Sequence, residues 1–234
     1  MTRKILIIEN DSELADLLSL HLKELNFQVN IANNYNSGLQ LASQGQYDLI
    51  ILDIMYPGRH GFKLCNNLQM RDIFVPILLL TAKSSEMDGI IGLELGADDF
   101  VGKPFNIMEV VARVKAILRR TNNLKNNDRS GGKNGLLRIN GLCIDLPKRM
   151  VTLNGREKSL TPIEFDLLHY FASHPGQVFT RSQLLERVWG YSYNGYEHTV
   201  NSHINRLRTK IEKNPAMPKY LYTVWGVGYK FADH

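Results

Sequence analysis

Apolar and polar positions follow two different rhythms along the 234-residue chain. In the first 120 residues, apolar runs at 5–8, 27–31, 49–52 and 77–80, and a shorter one at 100–101, predict strands. Between them, apolar residues recur at helical spacing, as at Leu14, Leu17, Leu18, His21, Leu22 and Leu25. Three of the strand runs are apolar without alternation, as in strands covered by helices on both faces. Residues 121–134 (TNNLKNNDRSGGKN) break this rhythm with five Asn, two adjacent Gly and almost nothing apolar, predicting a flexible linker. Short strands follow at 136–139, 142–145 and 150–153, the last turning at Asn154-Gly155. Thr161-Pro162-Ile163-Glu164 is a capping box with Pro at the first helical position. His174-Pro175-Gly176 ends that helix, a second runs from Thr180 to Gly190, and a third from about Glu197 to Lys213. Residues 220–224 and 228–231 can then pair as a hairpin around Trp225.

Five βα units in about 120 residues predict a flavodoxin-like, doubly wound five-stranded parallel sheet, an α/β domain over residues 1–120. A small sheet, three helices and a closing hairpin predict a winged helix-turn-helix over residues 135–234.

Charge sharpens this division. Residues 1–120 carry 12 Lys/Arg against 14 Asp/Glu, whereas residues 135–234 carry 13 against 8. Only the second half is suited to a polyanion. The apolar run at 5–8 stops at Glu9, too short for a signal-peptide core, and no stretch approaches the ~20 apolar residues of a membrane span. Cys65 and Cys143 lack metal-ligand spacing and read as free thiols of a reducing compartment, so a cytoplasmic location away from membranes is expected.

In doubly wound sheets, ligand chemistry gathers at the carboxyl ends of the strands. Here those ends carry Glu9, Asn10 and Asp11, then Asp53, Thr81 and Lys103. Carboxylates suit a hard divalent cation. A carboxylate beside such a cation can attack a phosphoryl group while an ammonium neutralises the transferring oxygens.

Residues 5–11 (ILIIEND), 48–61 (DLIILDIMYPGRHG), 79–83 (LLTAK) and 96–105 (GADDFVGKPF) resemble the receiver domain of two-component response regulators. The C-terminal half resembles their winged-helix output domain, so the chain is similar to the OmpR/PhoB family over nearly its whole length. The resemblance implies that Asp53 accepts a phosphoryl group from a sensor histidine kinase, with Thr81 and Lys103 binding it and Phe100 shifting on activation. It assigns Mg²⁺ to Glu9, Asn10, Asp53 and the Met55 carbonyl, and a cis bond to Lys103-Pro104. Asn10 departs from the acid usual there, which predicts weaker metal binding and leaves open an atypical regulator that binds DNA without phosphorylation. Asp11 reads as a helix N-cap.

The family also implies a receiver homodimer through the helix before strand five, the strand itself and the helix after it. Its ion pairs would be Asp99–Arg113, Asp98–Arg120 and Glu94–Lys115 around Ile90, Leu93 and Ala112; Gly89 stands where a basic partner of Glu109 is usual. On the third helix of the second half, Val200, Ile204, Leu207 and Ile211 form a buried stripe. The opposite face offers His198, Ser202, Asn205, Arg206 and Thr209, groups able to read base edges in a major groove, flanked by Asn201 and by Arg208 and Lys210, which suit phosphates. By resemblance His203 and Arg208 also contact duplex DNA (tandem or inverted half-sites), Thr223 a phosphate, and Trp225 replaces a wing cation. The loop 190–196 (GYSYNGY) would meet RNA polymerase. An enzyme using Asp53 as nucleophile would carry a second acid two residues on, where Met55 stands; no enzymatic activity is expected.

Overall fold

The computed structural model describes residues 2–45, 47–54, 60–71, 73–82, 93, 96–126, 135–190 and 197–233. It divides into two compact units, residues 1–118 and 119–234.

In the first unit, β1 (Lys4–Ile8), β2 (Gln28–Ala32), β3 (Leu49–Asp53), β4 (Ile77–Ala82) and β5 (Asp99–Lys103) form one parallel sheet in the order β2-β1-β3-β4-β5. Helix α1 (Ser12–Glu24) follows β1, α2 (Tyr35–Ser43) follows β2 and α3 (His60–Met70) precedes β4. Asp11 caps α1 by accepting from the Glu13 and Leu14 N–H groups at 3.0 and 3.1 Å. One face of the sheet (Ile5, Ile7, Leu49, Ile51, Leu78, Leu80, Val101) packs with Ala15, Leu18 and Leu22 of α1 and Val110, Val114 and Ile117 of the helix after β5. The intervening Leu6, Ile8, Ile50, Leu52 and Leu79 are equally buried, and Gly38 of α2 sits against Ile8. Burial on both faces is the physical cause of the unalternated strand runs. Leu17 differs from its apolar reading: it lies on the solvent side of α1 with Leu20.

Helix α4 (Ile107–Asn126) begins after β5 and continues through residues 121–126, which the sequence assigned to the linker. Polar Asn-rich residues there extend an established helix, since propagation costs far less than nucleation.

The second unit opens with an antiparallel meander of β6 (Leu136–Ile139), β7 (Leu142–Asp145), β8 (Met150–Leu153) and β9 (Arg156–Lys158). The β8–β9 turn places Asn154 and Gly155 at φ 50° and 77°, the left-handed pair of a tight hairpin. Helix α5 (Pro162–Ala172) follows its capping box. Then come β10 (Val178–Thr180), α6 (Arg181–Leu184) continuing as a π-helical turn through Leu185–Trp189, and α7 (Glu197–Ile211). Strands β11 (Leu221–Val224) and β12 (Gly228–Phe231) complete a second sheet ordered β10-β12-β11. Phe171, Trp189, Val200, Ile204, Leu207, Ile211 and Phe231 lie in its core. Among the described residues, no helix is long and apolar enough to cross a membrane.

Candidate functional site

Parallel register places Glu9 just beyond β1, Asp53 at the end of β3 and Lys103 at the end of β5. Both carboxylates are withdrawn from solvent, Glu9 at 1% and Asp53 at 5% exposure. The Lys103 Nζ donates to Glu9 Oε2 at 2.7 Å and to Asp53 Oδ2 at 2.9 Å, so one ammonium holds both. The Asp11 N–H donates to the second Glu9 oxygen at 3.1 Å. Burial raises the Glu9 pKa, the Asp53 charge adds to the rise, and Lys103 and the Asp11 N–H oppose it without cancelling it. Burial pulls the Lys103 pKa down, but its hydrogen bonds to the two carboxylates outweigh this and leave it raised.

Thr81 is buried on β4, one residue beyond Leu80, whose register partner is Asp53. Phe100 lies on β5 opposite Leu79 and is nearly buried. The Lys103-Pro104 bond is cis. Asn10 is exposed, and Met55 lies outside the described residues. The two carboxylates converge on one point of positive charge and are hard donors, so the residues present fit a divalent cation. Among the described residues no cluster of three or more His, Cys, Asp or Glu side chains is found.

On the expected dimer face, Arg113 Nη1 donates to Asp99 Oδ2 at 2.9 Å and Nη2 to Glu109 Oε1 at 2.9 Å within one chain. Glu109 therefore finds its cation on its own helix, one turn away. Asp98 is fully buried and accepts from the Ile77 N–H at 2.9 Å. Arg120, in the second unit, pairs with Asp166 at 2.8 Å. Asp98 and Arg120 thus each have a partner within their own chain. Leu93 is fully buried. Ala112 and Lys115 are exposed; Ile90 and Glu94 lie outside the described residues.

On α7 the stripe Val200, Ile204, Leu207 and Ile211 is fully buried, and His198, Asn205 and Thr209 face solvent. His203 is fully buried, with Nδ1 2.8 Å from the Thr199 carbonyl and its ring edge-on to Trp189 at 5.3 Å. It stands three residues after Val200 and four before Leu207, so a wider helical stripe would have placed it in the core. Ser202 is buried as well. Arg208 donates from Nε and Nη2 to the Leu221 carbonyl at 3.0 and 2.8 Å, and from Nη2 to Thr223 Oγ1 at 2.8 Å. Desolvation lowers its pKa. Arg208 and Thr223 therefore tie α7 to β11. Arg206 lies on Glu164 at 3.0 Å, not on the open face. Trp225 stands 90% exposed at the hairpin tip.

Three further contacts lay beyond the sequence reading. Glu164 receives two cations of α7, Glu212 accepts three backbone N–H groups ahead of and within β11, and Asn201 accepts from Arg181 Nε and the Tyr229 hydroxyl at 2.9 Å each. The capping box marked Glu164 and charge alone marked Glu212; nothing in the sequence marked their side-chain and backbone partners. The loop 190–196 lies outside the described residues beyond Gly190.

Residues 5–115 match the family described as response regulator receiver domain, and residues 155–231 the family described as transcriptional regulatory protein, C terminal. The sensory transduction protein RegX3 of Mycolicibacterium smegmatis is 41% identical over 226 residues, covering 97% of each chain. Among solved structures, a mutant of RitR aligns at 27% identity over 99% of this chain and 100% of its own, with a TM-score of 0.81. DrrB, described as a Thermotoga maritima OmpR/PhoB homolog, aligns at 31% identity over 100% of both chains with a TM-score of 0.51.

Proposed function

The chain belongs to the OmpR/PhoB family of two-component response regulators and is a transcriptional regulator with a DNA-binding domain; from that premise we propose that Asp53 is its phosphoacceptor and that phosphorylation promotes receiver pairing on DNA. The observation that carries this reading is the single ammonium shared by Glu9 and Asp53. An Asp53 oxygen attacks the phosphorus of a kinase phosphohistidine, forming the P–O bond as the P–N bond breaks and the imidazole departs. Lys103 then transfers its hydrogen bond from the Asp53 carboxylate to a phosphoryl oxygen, and the Thr81 hydroxyl supplies another donor. Glu9, Asp53, the Asn10 side chain and the Met55 carbonyl would hold Mg²⁺, which when bound neutralises charge on the phosphoryl oxygens. Phe100, on β5 opposite Leu79, is the aromatic that responds.

Duplex DNA is read by His198, Asn205 and Thr209 from α7 and by Trp225 from the wing, on tandem or inverted half-sites. A sensor histidine kinase is the phosphoryl source, RNA polymerase the partner of the loop 190–196, and a second receiver the partner of the face around Ala112, Arg113 and Lys115.

Intact-mass spectrometry after incubation with Mg²⁺ and a small phosphoryl donor tests the switch. Wild type should gain about 80 Da, one phosphoryl group, and Asp53→Ala none. Asn10 favours a second reading, in which DNA is bound without phosphorylation because the amide brings no charge to the metal. No mass gain in either protein, with DNA binding intact, would select it.

A further inference from the structure

Glu164 is fully buried, yet it is the third residue of α5 and completes the capping box by accepting from the Thr161 N–H at 2.8 Å. Its two oxygens also face the recognition helix. Lys210 Nζ donates to Oε2 at 2.6 Å, and Arg206 Nη2 lies 3.0 Å from Oε1. Arg206 and Lys210 stand one helical turn apart on α7, so one carboxylate engages a two-cation row. Burial alone would raise the Glu164 pKa; the two cations and the Thr161 N–H outweigh it and hold the group below its usual 4.5, ionised at neutral pH.

The cap itself does not need this charge, because Gln closes a capping box as Glu does. Nor is a buried ion pair a strong source of stability, since desolvation offsets much of its attraction. What the charge does achieve is to occupy two of the cations of α7. Cations that reach phosphates strengthen binding to any duplex, whatever its sequence. Moving Arg206 or Lys210 from Glu164 to a phosphate would leave a buried carboxylate partly uncompensated, which is costly.

We propose that Glu164 is a specificity-determining positioning residue: it withholds Arg206 and Lys210 from DNA phosphates, so that α7 meets the duplex with His198, Asn205 and Thr209. This rests on α7 being the DNA-reading helix.

The test is a salt titration of affinity for a random-sequence duplex, using the full chain. Each phosphate contact contributes about 0.9 to the slope of log affinity against log salt. Glu164→Gln keeps the cap and removes the charge. It should steepen the slope by about 1–2 and tighten binding to the random duplex roughly tenfold at low salt. Lys210→Ala should leave the wild-type slope unchanged but lower that of the Glu164→Gln protein by about 0.9. An unchanged slope in Glu164→Gln, or an equal loss from Lys210→Ala in both backgrounds, overturns the proposal. Should Glu164→Gln fail to fold by circular dichroism, Lys210→Ala and Arg206→Ala in the wild-type background decide alone: unchanged slopes support it, and a loss of about 0.9 for either overturns it. A wild type that binds no duplex from a random library removes the DNA-reading premise instead, a result distinct from any change in slope.

Discussion

The imidazole of His203 fills space beside Trp189 and the Thr199 carbonyl, a position in which a truncation leaves a buried cavity and removes a side-chain hydrogen bond. His203→Ala should therefore cost about 2–4 kcal/mol in urea unfolding. DNA affinity per folded molecule should be retained; a variant of native stability with lost affinity would return His203 to the binding surface. His169 carries a pH signature of a different kind. Burial lowers its pKa below 6.5, Arg149 and His174 lower it further, and Asp166 opposes them incompletely. The unfolded chain thus binds a proton that the folded one resists, and the sign follows: stability rises with pH in this window. The His169 contribution is fully present above pH 6.5 and is lost as pH falls through the lowered folded-state pKa. Thermal melts between pH 7 and 5 should show the decline, and His169→Gln should flatten it. A wild-type profile already flat over that range would contradict the assignment.

At the level of elements, α7 and the closing hairpin are joined by two residues one helical turn apart. Arg208 binds the Leu221 carbonyl, and Glu212 accepts the N–H groups of Lys219, Tyr220 and Leu221 at 2.7, 2.9 and 3.0 Å. Glu212→Ala leaves three donors without that acceptor, at least one of them buried, and should destabilise the second unit by about 2–4 kcal/mol. Amide exchange should accelerate in β11 before it does in β7; equal acceleration throughout would show that the tie is not local. These contacts also mark where sequence stops being informative. Strands β6, β7 and β8 were legible to the residue because apolar alternation and the Asn154-Gly155 turn fix them locally. Strands β9 and β10 were not, since β9 is wholly charged or polar and β10 exists by pairing with β12, about fifty residues away. The acidic site was legible because topology puts every strand end on one edge of the sheet. That Lys103 bridges Glu9 and Asp53 was not, because it depends on side-chain reach from β5 across β4 and β3. The partners of the outer face of α7 were illegible for a related reason: a helical wheel locates Arg206 and Arg208 but cannot say that Glu164, or the Leu221 carbonyl, waits beside them.

For the whole molecule, the proposed phosphoacceptor Asp53 and the proposed DNA-reading helix α7 belong to separate units, and any coupling between them is expressed as a free energy. If phosphorylation favours pairing of receivers, a duplex with two half-sites profits from the second binding event being intramolecular, whereas one half-site does not. Linkage makes this reciprocal: two-site DNA must favour the paired receiver by the same factor. Treatment with Mg²⁺ and a small phosphoryl donor should accordingly tighten binding to a two-site duplex roughly ten- to a hundredfold and leave a single-site duplex unaffected. Asp53→Ala should abolish the difference. Arg113 offers a check on the pairing step, because in the single chain it already serves Asp99 and Glu109. Glu109→Gln removes one internal competitor and should strengthen receiver pairing in sedimentation, provided that Arg113 also serves the partner. Weaker pairing would mean that the Glu109–Arg113 bond builds the paired face instead. Equal tightening on one-site and two-site duplexes would place the switch in the DNA-binding unit itself, and no tightening on either would leave Asn10 as the residue that has uncoupled this regulator from phosphorylation.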